Sequence, residues 1–193
     1  VNLLFNQSLD RIRALPGVAG AAVGVGLPFE RPLRMGFKFT DGPEAQGQGG
    51  NTTSSYVTPD YFTVLRIPLV HGRALGESDG PKTQQVALVN EAFVHRYLPS
   101  GDPLGRHIKL AGVEREVVGV VGDIQQDTGG SAKYGPLAAL PATFFPAAQV
   151  GDDMVQMVHT WFSPSWVVRT AGEPEAAALG IQRAVEAVDS QLP

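Results

Sequence analysis

The stretch Gly76-Glu77-Ser78-Asp79-Gly80 spells G-x-S-x-G, the pattern on which serine hydrolases present a nucleophile. Such an elbow needs a buried strand that delivers the serine onto a strained turn. A helix must follow at once, so that backbone donors face the oxyanion. Here the polar run GRALGE precedes Ser78, and DGPKTQQ follows it with turn chemistry and no helical apolar pattern. The next apolar run, VALV, reads as a strand. His95, His107 and His159 could complete a triad by residue type, but the context argues against one.

Metal chemistry has no better footing. The four histidines, His71, His95, His107 and His159, never stand three to five residues apart, and cysteine is absent. Asp152-Asp153 and the Asp123, Asp127 pair lack the oxygen-rich pattern of a calcium loop and read as solvated loop ends. Gly119 and Gly122 echo a phosphate loop, yet they lie in a β-branched run without a lysine or a following helix. They read as strand glycines that allow close packing. Tyr56, Tyr61, Phe62, Phe144 and Phe145 could line a ligand site or a partner interface, although packing within a core is the commoner use of such residues. No cofactor is expected, and the residues by themselves define no catalytic constellation.

Composition narrows the class. A chain of 193 residues with 43% hydrophobic and 18% charged residues can bury a good core, and is too apolar to be disordered. Its 23 glycines and 15 prolines favour turns and short strands over long helices. A net charge of −4 without a basic block makes nucleic acid an unsuitable partner. Residues 15–29 are too short and glycine-rich for a membrane span, and 134–151 carry Pro136, Pro141 and Pro146. The start at VNLLF and the stop at SQLP suggest a segment of a longer protein.

The elements that must position these residues follow from periodicity. Phe5, Leu9 and Ile12 predict an N-terminal helix ended by Pro16-Gly17, and 18–27 reads as a buried strand. The glycine-rich stretch 41–51 reads as a flexible surface loop. Thr58 with Pro59 and Asp60, and Asn90 with Glu91, each read as a cap through which a strand runs into a short helix, with Val57/Phe62 and Val89/Val94 as hydrophobic staples. Residues 105–124 predict a hairpin turning at Ala111-Gly112, in which Val113, Arg115 and Val117 alternate. A proline-rich connector leads to strands at 154–161 and 166–170. A last helix begins at Pro174 with Ile181, Val185 and Val188 on one face. The fold class is α+β. Both terminal helices are expected on one sheet with strands near 18–25, 52–57 and 166–170.

Several of these stretches, taken in order, resemble the extracytoplasmic core domain of MacB/FtsX-type ABC transporter permeases. They are YVTPDYFTVLRIPLVHGRAL, VALVNEAFVHRYLPSGDPLGRHIKL, REVVGVVGDI and the run from Val167 to Pro193. The resemblance covers about 54–125 and 166–193; the loop at 41–51 and residues 126–165 carry little of it. It implies a porter-like lobe built from 1–68 and 150–193, with a smaller β-rich lobe inserted at 69–149. It also implies a location on the outer face of the bacterial inner membrane, after a first membrane helix. The domain would do no bond chemistry and would transmit ATP-driven motion, for efflux or for signalling. Partners would be transmembrane helices of the same polypeptide, an ABC ATPase, a second permease copy and a periplasmic protein. Independently of the resemblance, the net charge of −4 and the scattered apolar residues suggest that the isolated segment is a monomer in solution. Gly72-Arg73 carries the family pattern, which makes Arg73 a candidate interface residue and Ser78 a filler of an exposed connector. A ligand- or peptide-binding module with an aromatic groove, and more remotely a hydrolase using Ser78, stay open as alternatives.

Overall fold

In the computed structural model, which describes residues 2–47, 49–130 and 135–188, the helices are α1 (Asn2–Arg13), α2 (Tyr61–Leu65), α3 (Glu91–Tyr97), α4 (Asp152–His159) and α5 (Pro174–Glu186). The strands are β1 (Val18–Val25), β2 (Arg34–Phe39), β3 (Gly50–Val57), β4 (Leu69–Gly72), β5 (Val86–Asn90), β6 (His107–Leu110), β7 (Val113–Val121), β8 (Gln125–Asp127), β9 (Leu137–Ala139), β10 (Ala142–Pro146) and β11 (Pro164–Thr170). The class is α+β.

Phe5, Leu9 and Ile12 form the buried stripe of α1, as their spacing predicts. That stripe lies on β1, and α5 packs beside α1 through Ile181 and Val185. Phe5 stands edge-on to Trp166 of β11 with ring centroids 5.8 Å apart, and the Trp166 Nε1–H donates to Ser8 Oγ at 2.8 Å. β11 pairs antiparallel with β1, and β1 joins β3 at Gly24 and Val57. Both terminal helices therefore share one sheet with the three strands expected there.

The rest of the sheet closes on itself. β3 pairs with β2 on one edge and, in parallel, with β10 on the other. The path then runs through β5, β7 and β6 back to β2, a ring of six strands. Closure removes the exposed strand edges that an open sheet would leave. Neighbouring residues on these strands point into two separate clusters, as a period of two requires. Tyr56, Val89, Val120 and Phe145 enter one, while Val57, Leu88, Val121 and Phe144 enter the other.

Some local expectations need correction. Residues 152–159 form α4, not a strand: Val155 and Val158 are buried one turn apart, with acidic residues in the first turn and Gly151 as the cap. The region read as a proline-rich connector contains β10, whose five residues are all buried. Thr58 does not cap α2. Its hydroxyl accepts from Val23 N–H of β1 at 2.9 Å, and Asp60 takes the cap position without a side-chain bond to the helix, its carboxylate accepting instead from Arg13 Nη2 at 2.8 Å. The loop at 41–47 is anchored: Asp41 accepts from His107 Nδ1 at 2.8 Å, and Arg106 bonds Glu44. The hairpin is as expected, with Ala111 and Gly112 both at positive φ, 50° and 82°.

Candidate functional site

Ser78 sits in a turn closed by Asp79 N–H donating to the Gly76 carbonyl at 3.0 Å. It is exposed, and the chain then continues through a loop into the strand β5. None of the four histidines hydrogen-bonds to it. His71 lies on β4 and His95 on α3; His107 bonds Asp41, and His159 bonds the Tyr56 hydroxyl. The arrangement is no nucleophile elbow. Among the described residues there is also no group of three or more ligands that could hold a metal ion.

Asp79, not Ser78, is the structural residue of this motif. Its side chain is only 6% exposed and takes a bidentate pair from Arg73, with Nη1 and Nη2 donating at 2.9 and 2.8 Å. Gly76 N–H donates to the same carboxylate at 2.8 Å. Burial alone would raise the Asp79 pKa, but the bonds from Arg73 and Gly76 outweigh it and hold the carboxyl below its ordinary value. Gly72, just before Arg73, has φ of 77°, and a Cβ there would stand 2.4 Å from the Val118 carbonyl. The Gly72-Arg73 pattern thus has a local cause: a left-handed residue, then a cation that ties the turn.

The aromatic candidates form no groove. Tyr56, Tyr61, Phe62, Phe144 and Phe145 are each 6% exposed or less. They divide between the two clusters: Tyr56 and Phe145 in one, Tyr61, Phe62 and Phe144 in the other. Burial raises the pKa of both tyrosines far above the ordinary value.

Two polar junctions brace the strands. Asn90 Oδ1 accepts from Phe93 N–H at 3.0 Å, capping α3 as predicted, and also from Ala142 N–H of β10 at 2.7 Å. Its amide donates to the Leu140 carbonyl and to Asp123 Oδ1, at 2.9 and 2.7 Å. Asp123 in turn accepts from Ala92 N–H at 2.8 Å, so it belongs to the helix N-terminus and is not a free loop end. The second junction is Gln149, whose Oε1 accepts from Val86 N–H and from Arg115 Nη1, while its Nε2 donates to the Gln84 carbonyl.

Residues 5–186 match the family model of the MacB-like periplasmic core domain. The chain belongs to that family. It is an extracytoplasmic domain of a MacB-like ABC transporter permease. Over 103 residues it is 33% identical to YvrN, an uncharacterized ABC transporter permease of Bacillus subtilis (strain 168); the match takes in 52% of this chain and 25% of that protein, so the chain spans about a quarter of the relative. The fold is shared with the periplasmic region of MacB from Actinobacillus actinomycetemcomitans, at a TM-score of 0.59 and 16% identity over 94% of this chain and 72% of that one. It is also shared with the extracellular domain of the noncanonic ABC-type transporter YknZ from Gram-positive bacteria, at 0.61 and 13% over 95% and 82%. No described helix of this MacB-like domain is long and apolar enough to cross a membrane.

The roles of Asp79 and Ser78 in the MacB-like domain separate by mutation. Ser78→Ala should leave stability unchanged within about 0.5 kcal/mol. Asp79→Asn should lower it by about 1–2 kcal/mol, a modest figure because Arg73 is half exposed. Because the folded pKa is depressed, the Asp79 contribution is complete above the unfolded value near 4. It is lost as pH falls through the lower folded value. Urea midpoints of the two proteins should therefore converge between about pH 5 and pH 2, and parallel curves would show that the ion pair contributes nothing.

Proposed function

We propose that this domain does no bond chemistry and serves as a stiff extracytoplasmic element that carries ATP-driven motion of the permease, for efflux or signalling. The observation that supports this most directly is the closed ring of six strands joined to a sheet on which both terminal helices pack side by side. Movement entering through the helices at the two chain ends would reach a body centred on this closed ring, and so displace it as a unit. In this reading a porter-like lobe at 1–68 and 150–193 meets an inserted lobe at 69–149 along β3 and β10. The aromatic residues form the seam. Phe145 is registered opposite Tyr56, and Phe62 stands edge-on to Phe144 with centroids 5.1 Å apart. Tyr61 packs edge-on against Phe62 at 5.5 Å, and Arg73 ties the first turn of the insert.

The partners are then transmembrane helices of the same polypeptide, an ABC ATPase, a second permease copy and a periplasmic protein. The absence of cysteine permits a clean test in the full-length permease, provided any cysteines elsewhere in it are replaced. Fluorophores on Leu3→Cys and Trp161→Cys, both at exposed positions, report distances by energy transfer. The distance within one domain should stay constant between ATP-bound and nucleotide-free states. The distance between Trp161→Cys on two copies should change. A domain that deforms internally, or copies that never move relative to each other, would refute the proposal.

A further inference from the structure

All three methionines of the chain, Met35, Met154 and Met157, line one cavity of about 580 Å³ between β2, the β6–β7 hairpin and α4. Leu110, Phe145 and Val150 complete its apolar wall. The volume falls within the ordinary range for small-ligand pockets, and methionine side chains adapt to irregular apolar guests. Met157 is 52% exposed, so the cavity opens to solvent beside it.

Arg115 also lines this cavity and is only 4% exposed. A buried guanidinium ordinarily faces a carboxylate. This one makes three hydrogen bonds, all to neutral acceptors: Gln85 Oε1 and Gln149 Oε1 from Nη1, and the Gln149 carbonyl from Nη2. Of its five N–H donors, Nε–H and one Nη2–H have no acceptor among the described residues. The guanidinium carbon lies 4.6 Å from the centroid of Phe145, another wall residue. Burial pulls its pKa down to about 10, so it stays charged at neutral pH while carrying a desolvation penalty that an incoming anion would offset. Asp153, exposed in the first turn of α4, is the acidic residue of the lining and disfavours a second negative charge on a guest.

We propose that this cavity binds an apolar monocarboxylic acid, its acid group against Arg115 and its hydrocarbon body between the methionines. The site is a property of the 193-residue chain and does not depend on the transmission role; failure to bind would leave the energy-transfer result untouched.

Isothermal titration of the protein with decanoate, and with the neutral decanamide, tests the assignment. Decanoate should bind one to one and at least tenfold more tightly than decanamide, the size of effect expected for a charge-assisted hydrogen bond. Met157→Asp, at a half-exposed position where folding is not at stake, should weaken decanoate at least tenfold. Arg115→Gln should erase the preference for the acid, with circular dichroism to confirm the fold. If that variant does not fold, the decanoate-to-decanamide ratio and Met157→Asp decide. No saturable heat with decanoate up to about 1 mM, equal affinity for the two ligands, or an unchanged Met157→Asp variant would each overturn the proposal.

Discussion

Asn90→Ala should lower the unfolding free energy by about 3 kcal/mol, read as a fall in the urea midpoint at unchanged slope. A helix cap alone contributes about 1 kcal/mol. The excess comes from Ala142 N–H and the Leu140 carbonyl, which both lose the side chain they bond in the protein interior. Asn90 is itself fully buried, so water does not readily replace it. Asn90→Asp separates the two halves of its role. It keeps the acceptor for Phe93 and Ala142 but sets a carboxylate against Asp123, whose Oδ1 now receives the amide at 2.7 Å. One carboxyl of that pair would have a raised folded pKa. The Asn90→Asp variant should therefore come closer to the wild type near pH 4 than at pH 7. A loss below about 1 kcal/mol for Asn90→Ala would mean that the residue is only a cap.

Gly119→Ala should be as damaging, by about 3 kcal/mol, for a steric reason. Gly119 is registered opposite Gly72 where β4 meets β7. A Cβ on Gly119 would lie 2.4 Å from the Arg73 carbonyl oxygen and 2.9 Å from Leu88 Cδ2, so backbone must move. Separating the strands would break the bond from Arg73 N–H to the Val118 carbonyl, 3.0 Å long, and loosen the Arg73–Asp79 turn beside it. Gly101→Ala is the matched control, since the nearest atom to its Cβ would be 3.9 Å away. Its midpoint should stay within about 0.5 kcal/mol of wild type. Equal effects at the two glycines would show that backbone entropy, not the close approach of β4 and β7, governs the result.

Legibility in the sequence followed the range of each interaction. The stripe of α1, the Asn90 cap and the turn at Ala111-Gly112 depend on residues within a few positions, and each was readable. Helix α4 was not. Met154-Val155-Gln156-Met157-Val158 is too short an apolar run to set its type alone; its i, i+1, i+3, i+4 spacing suits a helix, and packing of Val155 and Val158 against the main core fixes it. β10 was hidden because Pro141 precedes it and Pro146 is its last residue. A proline at a strand end gives up only its N–H, and the Pro141 carbonyl still accepts from Thr53 N–H at 2.8 Å. The hydroxyl of Thr58 had two partners in reach, its own helix and β1, and only the three-dimensional approach of β1 decided between them.

The candidate site shows the same division. Arg115 shares the inward phase of Val117 in the alternating hairpin, so its burial was implicit in the spacing. What surrounds it was not implicit: Gln85 and Gln149 come from segments 30 and 34 residues away. By itself, then, the sequence of this MacB-like domain determined most of its elements, their buried faces and its family pattern, because those depend on local periodicity and ordered motifs; α4 and β10 are the exceptions. Tertiary structure alone decided that β3 and β10 pair in parallel to close the ring, that Asp79 and not Ser78 matters in the glycine-rich motif, and that a buried cation meets three methionines at one cavity. A strand's period states which face is buried but not against what, and that choice belongs to contacts distant in the chain.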